Sequence, residues 1–326
     1  MKNRDLTLTS VHLANHALGR EKELSQLHEQ LHQSRLPLVI TGIGGLGKTT
    51  LAQMYWQRHR RDYDGAAWLS AYALFTSDDQ HRADNAEIFL RAFLDNQLLK
   101  DNLQLTFDPQ RPPLDHFRQI IAALAAMDGQ HLLVIDNAPE TAAVFLPELS
   151  TLQNWRILLT SRDAIPNTVR FELDVLSPGE ACTLFERIYE QLARSAALDS
   201  ILSDIGYHTL TIELLAAYAR EKPLDPPGLL AIIRAKGLLG LDDLDVSTPR
   251  YPESRDVAAH LRKLFLLELS AEEQENFVTE DNSVATLANS LDNIFHNLGA
   301  PYKALDYAQK ALDIREKIFH DQHSDT

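Results

Sequence analysis

Short, continuous apolar runs alternate with amphipathic stretches through the first half of the chain. Such runs are typical of strands buried on both faces, because a half-exposed strand would alternate apolar and polar residues. Strands that alternate with helices predict a parallel sheet with helices packed on both of its faces. The predicted strands are 37–41, 66–70, 131–135, 156–160 and 170–174, and the clearest helices between them are 86–98 and 116–127.

Beyond about residue 175 the pattern changes, and it predicts only helices. Ser177 begins the first of these helices. It is followed by a proline in the first turn and by Glu180 three residues on, a combination that predicts a capping box. The predicted helices of this region are 179–194, 198–205 and 209–221.

The last part of the chain has a third pattern, in which two amphipathic helices meet at Gly299. Small and large residues recur there as they do in a tetratricopeptide repeat, and a plain helical hairpin is the alternative. A single repeat does not bury its own apolar face, so we expect it to pack on the preceding helices or on a protein partner, or the chain to be a shortened form of a longer repeat protein. The predicted domains are a polar N-terminal arm (1–16), a sheet domain (17–175), a helical domain (176–278) and one tetratricopeptide-like repeat (284–326).

Composition and charge narrow the classes of function. The 326 residues carry a formal net charge of −15, which disfavours binding to nucleic-acid phosphates and to anionic membranes. Cys182 is the single cysteine, so a disulfide within the chain is excluded. No apolar stretch approaches the length of a membrane span, and the N-terminus has no apolar signal segment. We therefore expect a cytoplasmic protein that binds neither nucleic acid nor membrane.

The residues that follow the first predicted strand form a phosphate-binding loop with the pattern G-x-x-x-x-G-K-T. Its glycines let successive backbone N–H groups converge on one point, and the following helix adds the positive end of its dipole. The lysine of this motif contacts the β- and γ-phosphates, and its threonine ligates Mg²⁺. A chance glycine-rich turn is the alternative, but a strand before the loop and a helix after it favour the motif. The predicted nucleotide-binding residues are Gly42, Gly44, Gly45, Leu46, Gly47, Lys48, Thr49 and Thr50.

Asp136 follows the strand predicted at 131–135, where a second acidic signature of nucleotide-binding sheets is expected. We predict that it acts with Thr49 at the metal; an aspartate that only begins a loop is the alternative. The next residue is Asn137, at a position where many ATPases have a carboxylate that activates water. An amide does not accept a proton at neutral pH, so fast hydrolysis from this position is not expected.

Arg162 lies just beyond the strand predicted at 156–160. A guanidinium or hydroxyl at this strand end is suited to sensing whether a γ-phosphate is present. A surface ion pair with Asp163 or with an acidic helix is the alternative. The candidate catalytic residues are therefore Lys48, Asp136 and Arg162, and the candidate metal ligands are Thr49 and Asp136.

Four segments resemble, in order and approximate spacing, the motifs of NB-ARC proteins, which are STAND-class signal-transduction NTPases. The resemblance covers roughly residues 15 to 275 and is to the bacterial type with C-terminal repeats. The segments are Leu18-Gly19-Arg20-Glu21, the phosphate loop, Leu133-Val134-Ile135-Asp136-Asn137 and Leu158-Leu159-Thr160-Ser161-Arg162.

The resemblance implies an α/β P-loop NTPase fold, followed by an all-helical lid domain and a short tetratricopeptide-like hairpin. It also implies a switch, in which ADP holds a closed form and exchange for ATP with Mg²⁺ allows opening and homo-oligomerisation. Leu18, Gly19 and Arg20 would then pack against adenine. The lid motif falls at His208 and Thr209, where threonine replaces the usual proline. His208 would stack on or hydrogen-bond to the nucleotide, and a histidine that only starts a helix is the alternative.

We therefore predict an ATP/ADP-binding signal-transduction switch with slow, regulatory hydrolysis at most, whose repeat segment binds a protein partner. A turnover ATPase of a related P-loop machine is one alternative, and it would release phosphate over many turnovers. A non-enzymatic interaction module is the other, and it would use bound ADP only to stabilise its fold.

Overall fold

The computed structural model describes residues 4–7, 19–71, 85–190, 195–236, 245–246 and 255–256. The chain divides into two compact units. The first comprises Met1–Gly42 and Gly47–Leu173, and the second comprises Ile43–Leu46 and Asp174–Thr326. The predicted tetratricopeptide-like repeat at 284–326 and the candidate residue Leu18 lie outside the described residues.

The first unit is built on a parallel sheet with the strand order β1-β3-β4-β5-β2-β6. All five predicted strands are confirmed, with ends that differ by one or two residues. The sequence pattern did not predict β1, a two-residue edge strand that pairs with β3 and leads into the buried Leu6. The strands are β1 (Arg4–Asp5), β2 (Leu38–Thr41), β3 (Gly65–Ser70), β4 (His131–Asp136), β5 (Trp155–Thr160) and β6 (Val169–Glu172).

Helices of the first unit connect these strands. The helix predicted at 86–98 ends at Leu94, and Asn96 begins a second one by accepting a hydrogen bond from the Leu99 N–H at 2.9 Å. The helix predicted at 116–127 begins three residues earlier, with a proline in its first turn. The helices are α1 (Glu21–Gln33), α2 (Lys48–His59), α3 (Asn85–Leu94), α4 (Gln97–Asn102), α5 (Pro113–Ala125) and the single turn α6 (Leu146–Leu149).

Both faces of the sheet are covered, because successive strand residues point to opposite sides and both sets are buried. On one face a cluster of rings from α3, α5 and the segment before α6 packs on the strands; its members are Phe89, Phe93, Phe117 and Phe145. On the other face Trp56 of α2 meets Trp68 of β3 edge to face, with ring centroids 5.8 Å apart. The predicted α/β arrangement is confirmed.

The described part of the second unit is mostly helical. Ser177 and Glu180 form the predicted capping box at the start of α7. Along α9 nearly every residue from Leu210 to Ala219 is buried, so this helix forms the centre of the unit's core. The elements are α7 (Pro178–Ile188), α8 (Ala196–Asp204), α9 (Thr209–Glu221), α10 (Pro226–Lys236) and an antiparallel pair of two-residue strands, β7 (Asp245–Val246) and β8 (Arg255–Asp256), which the sequence pattern did not predict. None of the helices in the described ranges is long and apolar enough to cross a membrane.

Candidate nucleotide-binding site

The phosphate loop joins the carboxyl end of β2 to the start of α2. Three of its glycines have backbone conformations that disfavour a side chain: φ is +144° at Gly42, +81° at Gly45 and +95° at Gly47, the residue that caps α2. The Lys48 ammonium donates a hydrogen bond to the Gly42 carbonyl at 2.5 Å. The lysine therefore bends back over the loop, and its charge lies beside the loop's first residue, where a phosphate would be neutralised.

Asp136 ends β4 with its carboxylate next to the start of α2. Its Oδ1 atom accepts hydrogen bonds from the Thr49 hydroxyl at 2.8 Å and from the Thr160 hydroxyl at 2.6 Å. Because β5 is the neighbour of β4 in the sheet, Thr160 at the end of β5 lies beside Asp136 at the end of β4. The structure thus places the two residues predicted to act at the metal, Thr49 and Asp136, in direct contact.

A dense set of hydrogen bonds joins the ends of β4 and β5. The Asn137 N–H donates to the Thr160 hydroxyl oxygen at 2.8 Å, and the Ala138 N–H donates to the Thr160 carbonyl at 2.7 Å. The Ser161 hydroxyl donates to the Ala138 carbonyl at 2.7 Å. Asn137 has a φ of 60°, a left-handed conformation that asparagine tolerates better than most residues. These bonds fix the backbone that carries Asp136.

The oxygen atoms of Thr49 and Asp136 fit a hard divalent cation such as Mg²⁺. Mg²⁺ is held by one or two protein oxygens together with substrate phosphates and water, not by an all-protein cage. Within the described ranges, no group of three or more histidine, cysteine, aspartate or glutamate side chains is suited to hold a metal ion. Thr49 and Asp136 would hold the ion, and its positive charge would offset the negative charge of bound phosphates.

The other first-unit candidates lie near the ends of their elements. Arg162 is exposed and lies two residues beyond β5, whereas Thr160 and Ser161 just before it are buried.

Arg20 caps α1 in a left-handed conformation, is 6% exposed, and forms an ion pair with Glu23 at 2.8 Å. Gly19 precedes it with a φ of 67°. Thr50 lies in the first turn of α2.

His208 and Thr209, the candidates of the second unit, stand at the start of α9. His208 caps this helix and contacts the Gly44 carbonyl through Nε2 at 2.8 Å. The Thr209 hydroxyl donates to the Leu46 carbonyl at 3.2 Å. Gly44 and Leu46 belong to the apex of the phosphate loop, the segment Ile43–Leu46 that groups with the second unit.

Two further residues contact the predicted site residues and were not predicted from the sequence. Thr160 holds Asp136, and the Leu210 N–H donates to the Gly45 carbonyl at 3.1 Å. Thr160 had a detectable signal, because a polar residue at the end of a buried strand is unusual. Leu210 had none, since its contact is made by the backbone.

A parallel sheet with a phosphate loop after β2 and an acidic residue after β4, in contact with the loop's threonine, defines a P-loop NTPase. The family model described as the NB-ARC domain matches residues 20–193, just over half of the chain. The chain belongs to the NB-ARC family, within the STAND class of P-loop NTPases.

The chain is similar to parts of much longer proteins. It is 32% identical over 177 residues to a putative disease resistance protein of Arabidopsis thaliana, a match that covers 52% of this chain and 18% of that protein. It is 30% identical over 216 residues to the regulatory protein AfsR of Streptomyces griseus, covering 63% of this chain and 20% of that protein. The chain therefore spans about a fifth of the length of these relatives.

Among solved structures, a Walker-type ATPase of Pyrococcus abyssi is similar with a TM-score of 0.48 and 13% identity, over 91% of this chain and 89% of that one. A STAND protein with a tetratricopeptide repeat sensor from Pyrococcus horikoshii has a TM-score of 0.43 and 15% identity, over 92% of this chain and 54% of that one. At these values neither likeness assigns a function or an assembly to the chain.

Proposed function

We propose that this protein is a signal-transduction switch that binds ATP and ADP with Mg²⁺ and hydrolyses ATP slowly, if at all. The observation that carries the proposal is the contact of Thr49 with Asp136 beside a glycine-rich loop closed by Lys48. Membership of the NB-ARC family supports nucleotide binding. The two relatives are described as a putative disease resistance protein and a regulatory protein, and this favours a regulatory role for the present chain too.

Each site residue has a part in this proposal. Lys48 neutralises the β- and γ-phosphates, and the N–H groups of the loop bind their oxygen atoms. Thr49 and Asp136 hold Mg²⁺, and Arg162 senses the γ-phosphate from the end of β5. Leu18, Gly19 and Arg20 contact adenine, while His208 and Thr209 act from the start of α9.

The expectation of slow hydrolysis rests on Asn137, the residue that follows Asp136. Asn137 takes the place of a carboxylate that would activate water, and its amide is not a base at neutral pH. The backbone N–H of Asn137 donates a hydrogen bond to the Thr160 hydroxyl oxygen. Asn137 itself has a left-handed conformation, with a φ of 60°. We therefore expect nucleotide exchange, and not turnover, to set the state of the protein.

Switching requires that ATP and ADP stabilise different states by unequal amounts. Moving an equilibrium from 1:99 to 99:1 takes a difference of about 5.5 kcal/mol. One hydrogen bond to a charged group contributes about 1.5–3 kcal/mol, so Arg162 alone does not suffice. Lys48, the metal and the residues at the start of α9 would share the task. Binding of a protein partner through residues 284–326, and nucleotide-dependent homo-oligomerisation, remain predictions.

The direct test is to purify the protein, denature it and identify the nucleotide released by chromatography. We expect ADP in near-stoichiometric amount, and calorimetry on emptied protein should detect both ADP and ATP in magnesium buffer. Lys48→Ala should abolish binding, whereas Lys222→Ala, which removes an exposed lysine after the end of α9, should not.

Three results would contradict the proposal. Folded protein that takes up neither nucleotide has no switch site. Phosphate release over many turnovers, at rates typical of ATP-driven machines, would instead favour a turnover ATPase. A chain that binds ADP but shows no nucleotide-dependent change in any property would favour the interaction-module alternative.

A further inference from the structure

The start of α9 holds the apex of the phosphate loop by its carbonyl groups. His208 Nε2 lies 2.8 Å from the Gly44 carbonyl oxygen, the Leu210 N–H donates to the Gly45 carbonyl at 3.1 Å, and the Thr209 hydroxyl donates to the Leu46 carbonyl at 3.2 Å. Three consecutive carbonyls of the loop thus meet three consecutive residues of one helix start. Two of these contacts come from side chains and one from a first-turn N–H, which has no partner within its own helix.

The hydrogen bonds of His208 define which ring nitrogen carries the proton. The Thr211 N–H donates to Nδ1 at 3.3 Å, and the Thr211 hydroxyl lies 2.9 Å from the same atom. Since Nδ1 accepts, the neutral ring has its proton on Nε2, which donates to the Gly44 carbonyl. The ring therefore does two things at once: it caps α9 and it binds the loop.

Holding the carbonyls also sets the direction of the loop's N–H groups. A trans peptide is planar, and its C=O and N–H point in opposite directions. No cis peptide occurs among the described residues. Fixing the carbonyls of Gly44, Gly45 and Leu46 towards α9 therefore turns the N–H groups of the residues that follow each of them, Gly45, Leu46 and Gly47, away from it. Converging N–H groups of this kind are what binds phosphate oxygens.

The close approach of α9 also explains why Gly45 has no side chain. A Cβ atom built there would lie 2.5 Å from His208 Cε1, 2.9 Å from His208 Nε2 and 3.0 Å from Leu210 Cβ. The φ of +81° at this residue separately disfavours any side chain. Loop and helix start therefore fit each other by shape as well as by hydrogen bonds.

We propose that His208, Thr209 and Leu210 are positioning residues for phosphate binding: they hold the loop's carbonyls so that its N–H groups face the polyphosphate of the nucleotide. The inference rests on the proposed function and assigns these residues an indirect role, in which they act on the phosphates through the loop. It differs from the expectation that His208 contacts the nucleotide itself. Threonine at 209 contributes a hydroxyl that a proline would lack.

The test uses variants that separate two roles of these residues: capping of α9 and hydrogen bonding to the phosphate loop. His208→Asn retains an acceptor near the Nδ1 position, and asparagine is a good helix cap, but it has no donor at the Nε2 position. His208→Gln retains a donor that reaches that position. Thr209→Val removes the hydroxyl and keeps the shape, whereas Thr209→Ser keeps the hydroxyl. All four variants are made in the full chain, and circular dichroism establishes that each is folded.

Affinity is measured by displacing a fluorescent ADP analogue with ATP and with inorganic tripolyphosphate. We expect His208→Asn and Thr209→Val each to weaken both competitors by the same factor, about three- to tenfold, which is the range for one hydrogen bond. His208→Gln and Thr209→Ser should stay within about twofold of the wild type. The amide NMR signals of Gly45, Leu46 and Gly47 should shift in ligand-free His208→Asn.

Several results would overturn the inference. If ATP is weakened and tripolyphosphate is not, His208 contacts the nucleoside directly. If neither competitor is weakened by the Asn and Val variants, the contacts do not orient the loop. If His208→Asn does not fold, the pair Thr209→Val and Thr209→Ser decides by the same criterion. A wild-type protein that binds no nucleotide contradicts the proposed function as well, whereas failure of the variants alone contradicts only this inference.

Discussion

At the residue scale, one carboxylate oxygen joins two elements of the site by hydrogen bonds. Asp136 Oδ1 accepts from two hydroxyl groups, one on α2 and one at the end of β5. The hydroxyl of Thr160 also accepts the Asn137 N–H, so one side chain holds both the candidate metal ligand Asp136 and the backbone after it. Thr160 is 1% exposed, and loss of its hydroxyl would leave buried polar groups unsatisfied.

We expect Thr160→Val to weaken ATP binding about tenfold or more in magnesium buffer and to change it little in EDTA. The reason is that a hydrogen bond to a charged group contributes about 1.5–3 kcal/mol, and here that group is a metal ligand. Isothermal titration calorimetry in both buffers measures the difference. Thr160→Ser, which keeps the hydroxyl, is the control, and an equal loss in EDTA would show that Thr160 does not act through the metal.

At the scale of elements, α1 and α2 are joined by a cluster of rings at the end of the unit. We call it the histidine cluster and define it by His28, His32, Tyr55, His59 and Tyr63. The His28 ring lies 4.2 Å from the His32 ring and 4.2 Å from the His59 ring, measured between centroids. Its Nδ1 atom is 3.2 Å from the Tyr55 hydroxyl, which lies 3.0 Å from that of Tyr63.

Burial and two neighbouring imidazoles disfavour protonation of His28. Burial lowers the pKa of His28 below its usual 6.5, and the neighbouring His59 and His32 lower it further, while Asp62 opposes them. Burial also raises the pKa of Tyr55, which keeps its hydroxyl protonated, and Arg156 of β5 acts weakly in the other direction. The folded protein therefore favours the neutral form of His28 between α1 and α2.

From this shift we expect the protein to lose stability as the pH falls below about 6.5. The unfolded chain takes up a proton at His28 near its ordinary pKa, whereas the folded chain resists it, so the unfolded state binds more protons there. The stability contribution is complete above that pH and is lost as the pH falls through the lower, folded pKa. Urea unfolding between about pH 5 and 7 measures the slope.

His28→Gln should flatten that pH dependence. His116→Gln is the matched control, because His116 lies on α5 and stacks on Phe107 outside the histidine cluster. It should keep the wild-type slope. Identical slopes for the wild type and His28→Gln would show that His28 does not couple folding to pH.

At the scale of the whole molecule, nucleotide binding should raise the free energy of unfolding. A ligand that binds only the folded state at about a thousand times its dissociation constant adds about 4 kcal/mol. For a chain of this size we expect the unfolding temperature to rise on the order of 10 °C with ADP or with ATP and Mg²⁺. Differential scanning fluorimetry measures this shift.

Lys48→Ala should remove the shift and Lys222→Ala should retain it. An upward shift that persists in Lys48→Ala would place the stabilising nucleotide outside the phosphate loop. Unequal shifts with ADP and ATP at equal saturation would favour the switch, since differential binding is what moves a conformational equilibrium.

The sequence by itself determined the parts of this protein that depend on close neighbours along the chain. The five apolar runs became strands because each has too few polar residues to face water. The phosphate loop follows β2 directly, and Gly42, Gly45 and Gly47 have a positive φ that other residue types disfavour. The capping box of α7 is likewise made by residues three apart.

The tertiary structure alone decided which of these parts meet. Thr49 and Asp136 are 87 residues apart, Thr160 and Asp136 are 24 apart, and His208 and Gly44 are 164 apart. The first two contacts depend on the strand order, which puts β5 between β2 and β4. The third depends on the burial of α9 in the core of its unit. Strand order and helix packing follow from the free energy of the whole core, which local patterns of apolar and polar residues do not contain.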